Sequence, residues 1–194
     1  MFSKKWDSMT KITQKLLLGN LGNARIFVDM DGVLADFVRG VEGPKFLNGP
    51  LVSEQTYDDR KIELSNKGLF RELPIMPGME KLIAYIKNTG IPWEILTASG
   101  SLNRDVVAKD KVYWINKYVD SKVFITATIK GEDKAAFAKP DYILIDDRKS
   151  NIRAWEEAGG IGILYRGVDG AINQLDDVFY QMGKACLVAQ STAK

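Results

Sequence analysis

Histidine is absent from the 194 residues, and that absence removes every Ser-His or Cys-His nucleophile pair, every His-ligated zinc site and any phosphohistidine intermediate. Carboxylates, hydroxyls and lysines are left to carry the chemistry. Cys186 is the sole cysteine, so no intrachain disulfide or Cys-rich metal site can form, which fits a reducing, cytoplasmic compartment. The simplest place for that thiol is a helix. An excess of one charge is also missing: 27 Lys and Arg stand against 25 Asp and Glu, and the net charge of +2 gives no overall pull toward nucleic acid or anionic lipid. Lys4, Lys5, Lys11 and Lys15 read as a solvated face rather than a nucleic-acid arm. The longest apolar run near the N-terminus, Leu16-Leu17-Leu18, is too short for a signal-peptide core or a membrane span, so neither export nor a membrane partner is expected.

What is present is the balance of a globular protein, 45% hydrophobic and 27% charged, at a length that suits one compact domain with an insertion. Short apolar runs end abruptly in polar turns: Arg25-Ile26-Phe27-Val28 at Asp29-Met30-Asp31-Gly32, Trp93 to Leu96 at Thr97-Ala98-Ser99-Gly100, and Tyr142 to Ile145 at Asp146-Asp147. Between them helical periodicity predicts helices at 78–89, 104–119 and 148–158, the first closed by Gly90 and the last by Gly159-Gly160. Two further strands are expected at 122–125 and 161–164, with a last helix over 171–186. Strand-helix alternation of this kind predicts an α/β fold, a Rossmann-like doubly wound parallel sheet of five strands. Residues 38–75, rich in Gly and Pro and then in charge, break the rhythm and read as a small inserted cap. The expected layout is an N-terminal extension over 1–24, a core of 25–37 and 76–187, the cap, and a tail over 188–194.

In an open parallel sheet ligands bind beyond the carboxyl ends of the strands, near the switch in strand order. Three strand ends here deliver Asp29 and Asp31, Thr97 and Ser99, and Asp146 and Asp147 to that edge. Carboxylates gathered so closely destabilise one another unless a cation intervenes, and an all-oxygen donor set favours Mg2+. A carboxylate pair with magnesium, a hydroxyl and a lysine is a kit for phosphoryl transfer, and one carboxylate can serve as nucleophile through an aspartyl-phosphate.

The string Phe27-Val28-Asp29-Met30-Asp31-Gly32-Val33-Leu34-Ala35-Asp36-Phe37 resembles the first motif of the haloacid dehalogenase (HAD) superfamily of phosphatases, most of all its 5'(3')-deoxyribonucleotidase branch. The likeness extends to Leu69-Phe70-Arg71-Glu72-Leu73-Pro74 with Pro77-Gly78, to Ile95-Leu96-Thr97-Ala98, and to Ile143-Leu144-Ile145-Asp146-Asp147-Arg148 with Trp155, covering residues 25–166 in the family's order. The resemblance implies a HAD-like core and residue roles. Asp29 would attack phosphorus, and Asp31 would protonate the leaving oxygen and then deprotonate the hydrolytic water. Thr97, with the Ala98 amide and Ser99 beside it, would hold a phosphate oxygen. A lysine would stabilise the phosphorylated aspartate; the spacing selects Lys134, with Lys139 as the alternative. The metal set would be Asp29, the Asp31 backbone carbonyl and Asp146 directly, with Asp147 acting through a water or by orienting the lysine. Phe37 would lie against a nucleobase. The cap lacks the tryptophans expected of an aromatic base pocket, and Tyr57 and Phe70 are candidate substitutes.

Each element has an ordinary reading too. An Asp-x-Asp in a turn is usually a solvated turn or helix cap, Thr97 could cap a helix, Asp146-Asp147 could sit at the positive end of the next helix, and Phe37 could be packing alone. The apolar strand ahead of each, repeated three times, argues for the site. A response-regulator receiver uses similar residues in the opposite order, with its acidic pair first. The activity the resemblance implies is magnesium-dependent dephosphorylation of a (deoxy)nucleoside monophosphate. Another small phosphate, a polynucleotide end, or a non-catalytic phosphate-binding module are the alternatives.

Overall fold

The computed structural model describes residues 21–42 and 57–192. The expected N-terminal extension as far as residue 20, the middle of the cap at 43–56, the last two residues, and the side chains of Tyr57 and Cys186 lie outside the described residues.

Among the described residues five strands form one sheet: β1 (Arg25–Val28), β2 (Trp93–Ala98), β3 (Ile125–Thr128), β4 (Tyr142–Asp146) and β5 (Ile161–Leu164). All pairings are parallel and the order is β3-β2-β1-β4-β5. The chain winds outward from β1 to one edge, then returns to β4 and winds to the other, so the switch in strand order lies between β1 and β4. This is a Rossmann-like, doubly wound α/β fold.

Both faces of the sheet are covered, and alternation along each strand divides the side chains between two cores. Ile26, Val28, Ile95, Ile143 and Ile145 join the larger core, which takes in the apolar stripes of α3 (Met79–Thr89) and α4 (Arg104–Tyr118) together with α6 (Val168–Thr192). Phe27, Leu96 and Leu144 point the other way, against Ile152 and Trp155 of α5 (Lys149–Glu157). Trp155 meets the Phe27 ring edge-on at 5.2 Å and donates its indole N–H to the Tyr142 carbonyl.

Between β1 and α3 the chain forms α1 (Phe37–Glu42), α2 (Tyr57–Asn66) and a single 3-10 turn at Leu69–Arg71. Leu64, Leu69, Phe70 and Leu73 of this inserted stretch pack into the larger core, and the Trp114 indole of α4 donates to the Leu73 carbonyl at 2.8 Å. The described part of the insertion is thus seated on the sheet domain.

Three boundaries differ from expectation. The strand expected at 122–125 occupies 125–128, because pairing to β2 sets Ile95 opposite Ile125 and Ala98 opposite Thr128. This edge strand needs little apolar character, and the more hydrophobic Phe124 just before it is 77% exposed. Leu21 and Ala24, expected in an appendage, are buried in the core. The last helix is longer at both ends than 171–186.

Candidate active site

The carboxyl ends of β1, β2 and β4 open onto a cleft of about 380 Å³, lined among others by Asp29, Asp31, Ala98, Lys134, Asp147 and Arg148. Asp29 continues β1 by one ladder bond, its amide donating to the Ile145 carbonyl of β4 at 2.9 Å. The following turn closes on itself, with the Met30 carbonyl accepting from the amides of Leu34 and Ala35 and the Gly32 amide donating to Ala35. Main-chain bonds therefore hold both aspartates of the Asp-x-Asp at the sheet edge.

Lys134, on a 3-10 turn at Glu132–Phe137, is 1% exposed, and its ammonium lies 2.9 Å from Asp29 Oδ1 and 2.6 Å from Asp146 Oδ2. Burial opposes its charge, but the carboxylates of Asp29 and Asp146 outweigh it and raise the pKa, so Lys134 stays protonated. Asp29 Oδ1 also accepts the Met30 amide at 2.8 Å. Asp146 is fully buried and is the hub beneath the cleft: besides Lys134 it accepts the Arg148 amide and both of its oxygens accept from Asn151 Nδ2, at 3.0 and 2.9 Å. Asp147 has a different position. It lines the cleft, Arg166 holds its carbonyl at 2.8 Å, and its carboxyl is pushed up to about 6 by burial and by the charges of Asp29 and Asp146.

The second lysine was not anticipated. Lys111 of α4, also 1% exposed, donates to Asp31 Oδ2 at 2.8 Å, Thr97 Oγ1 at 2.9 Å and the Ala98 carbonyl at 2.7 Å. A sign of it exists in the sequence: Lys111 falls on the same helical stripe as Val107, Trp114 and Ile115, where a solvated lysine has no place. Asn151 was missed likewise, and it too sits on the buried stripe of its helix beside Ile152 and Trp155.

The other expected residues are distributed as follows. Thr97 is fully buried under the lining, with Ala98 at the cleft surface. The Ser99 hydroxyl donates to the Thr128 carbonyl of β3 at 3.1 Å, and Ser99 borders a neighbouring hollow instead. Phe37 lines the cleft and stacks on Phe70 at 5.7 Å, while Phe70 is buried behind it. Lys139 lies over the Tyr142 ring at 5.2 Å.

The donor chemistry suits a hard divalent cation. One oxygen from each of Asp29, Asp146 and Asp147 lies within 4.8 Å of the others. Gly32 makes room for them: a Cβ there would stand 2.4 Å from Asp147 Oδ2. Lys134 alone is shared between Asp29 and Asp146, while Lys111 is taken up by Asp31, so a cation among Asp29, Asp146 and Asp147 would relieve carboxylates that share one ammonium. Burial first, and then the nearby Asp29, raise the pKa values of Asp146 and Asp147.

No family model and no curated protein sequence matches the chain. Solved structures do. A hydrolase from Streptococcus pneumoniae TIGR4 is similar with a TM-score of 0.51 at 15% identity, over 78% of this chain and 97% of its own. A HAD-superfamily hydrolase from Ehrlichia chaffeensis gives 0.47 at 19% identity, over 82% and 96% of the two chains. A haloacid dehalogenase-like family hydrolase from Streptococcus pneumoniae gives 0.44 at 17%, over 81% and 90%. The first of these likenesses carries the fold and nothing finer.

Proposed function

We propose that the protein is a magnesium-dependent phosphomonoesterase of the haloacid dehalogenase type, acting through an aspartyl-phosphate on (deoxy)nucleoside monophosphates. The observation that carries this reading is the meeting of Asp29, Asp31, Lys134, Asp146 and Asp147 at the carboxyl edge of one parallel sheet. Asp29, Asp146 and Asp147, with the Asp31 backbone carbonyl, would hold Mg2+, whose charge lets an anionic nucleophile approach an anionic phosphate.

Asp29 attacks phosphorus with a carboxylate oxygen, and Lys134 at Oδ1 keeps that carboxylate oriented and offsets charge on the phosphoryl oxygens. As the ester P–O bond breaks, the proton of Asp31 passes to the leaving oxygen, which departs as the alcohol. Asp31, now a carboxylate, takes a proton from water as the water oxygen attacks the phosphorus of the acyl phosphate; inorganic phosphate leaves and Asp29 is restored. The Thr97 hydroxyl and Ala98 amide serve the phosphate oxygens. Phe37 offers an aromatic wall for the base, and Lys130 and Arg148 at the same cleft add positive charge. A non-catalytic phosphate-binding module would need neither a buried nucleophile nor an acid/base partner beside it.

The test is phosphate release with Mg2+ from deoxy- and ribonucleoside monophosphates, sugar phosphates, an aryl phosphate and a 5'-phosphorylated oligonucleotide, beside Asp29→Asn. Release that is best with deoxynucleotides and falls about 1,000-fold or more in the variant supports the reading. Release from the aryl phosphate alone removes the substrate assignment, and release that survives in Asp29→Asn removes the covalent mechanism.

A further inference from the structure

Lys111 has no part in the motif set, yet it is one of the most deeply buried side chains and its three N–H bonds are all directed at the candidate site. An ammonium has three donors and no acceptor. Here they reach Asp31 Oδ2, Thr97 Oγ1 and the Ala98 carbonyl, and the Phe70 ring lies on a further side at 5.0 Å. The buried face of α4 holds Val107, Trp114 and Ile115 with Lys111 and with Asp110, which pairs with Arg71, and at position 111 a leucine or methionine would bury without an ionic desolvation penalty.

Resting on the phosphatase reading above, we infer that Lys111 is a positioning residue for the acid/base step: it anchors Asp31 and Thr97 in their working orientations. Asp31 sits on a turn beyond the end of β1, its side chain is 24% exposed, and among the described residues Lys111 is the group that holds it. Asp31 Oδ1 is buried and has no hydrogen-bond partner among the described residues, so the whole orientation of the carboxyl group depends on the bond at Oδ2. At Thr97 the consequence is directional. Its hydroxyl oxygen accepts from Lys111, which leaves its own O–H to donate, the polarity a phosphate oxygen requires. One ammonium thus joins Asp31 at the cleft to Thr97 beneath its lining, from a helix that contributes no residue to that lining.

A purely structural ion pair would affect all substrates alike, whereas a residue that acts through Asp31 affects those whose leaving group needs a proton. The experiment compares kcat/KM, which reports the steps up to departure of the alcohol, for an alkyl phosphate and for 4-nitrophenyl phosphate. Lys111→Met should lower the alkyl value by about 100-fold and the aryl value by less than about 10-fold. In an Asp31→Asn background the same substitution should add less than about 3-fold on the alkyl ester, because its target is already gone. A crystal structure of Lys111→Met should show the Asp31 carboxyl turned away with Asp29, Lys134 and Asp146 in place. Lys111→Arg, which keeps the charge, should retain more alkyl activity than Lys111→Met and gives the same comparison if the methionine variant does not fold. Equal losses on both esters, losses that multiply in the Asp31→Asn background, or failure of both Lys111 variants to fold while Asp31→Asn folds would each overturn the inference. A wild-type protein inactive on both esters would instead overturn the phosphatase reading itself.

Discussion

Asp147 is the residue whose charge state the surroundings change most legibly. Burial, and then the neighbouring carboxyl groups of Asp29 and Asp146, push its carboxyl from 3.8 up to about 6. Between those two values the folded chain binds more protons than the unfolded chain, so stability in chelator is greatest at the acid end and falls as pH rises through about 6. Asp146 is shifted the same way and adds to the effect. Mg2+ reverses the sign, since it binds the carboxylate form and must displace those protons. Melting curves in EDTA and in Mg2+ should therefore diverge as pH rises from about 5 to about 7.5, with the metal-dependent gain largest at the alkaline end. A gain that is the same at both ends would remove Asp147 from the metal set. Lys134 and Lys139 illustrate how much one residue position can carry. Both were candidates by spacing, yet one is buried between two carboxylates and the other lies over the Tyr142 ring.

At the scale of elements, the site depends on a turn and a helix that act as rigid mounts. Gly32 has φ +77° and leaves no room for a Cβ beside Asp147 Oδ2. Gly32→Ala should destabilise the protein by about 1–3 kcal/mol and weaken Mg2+ binding together, measured by urea unfolding and by metal titration. Loss of stability with unchanged metal affinity would confine Gly32 to the backbone. Helix α5 is mounted on the sheet by Trp155, which is fully buried against Phe27, and it carries Asn151 to Asp146. Trp155→Ala should cost about 3–5 kcal/mol in urea unfolding. The strands that flank the site were legible because buried parallel strands must be continuously apolar and must end where polar residues begin. β3 was misplaced because an edge strand is half-exposed and obeys that rule weakly. Asn151 and Lys111 were missed because a polar residue on a helix is ordinarily assigned to solvent, although both stand on the apolar stripe of their helices.

For the whole molecule, the described residues contain no helix long and apolar enough to cross a membrane. Two cores, one on each face of the sheet, hold the strand ends at a common edge, and the cleft there gathers Asp29, Asp146 and Asp147 within reach of one cation. Chelation by EDTA should abolish phosphate release, Mg2+ should restore it, and Ca2+ should not, because its looser coordination disturbs in-line geometry. Full activity in chelator would defeat the metal assignment.

The sequence by itself determined the fold class, the strand ends that meet at one edge and the acidic character of what they carry, since these follow from local rules: apolar runs, their period and the turns that stop them. Only the tertiary structure decided which acid faces the cleft and which lies beneath it. It put Asp146 at the centre of a hydrogen-bond hub and Asp147, half-buried, at the lining of the cleft, a difference that adjacent residues on a strand end acquire from the neighbouring helix and turn. It also brought Lys111 to Asp31 across 80 residues of chain, a contact set by the packing of α4 on the sheet, which no local pattern encodes.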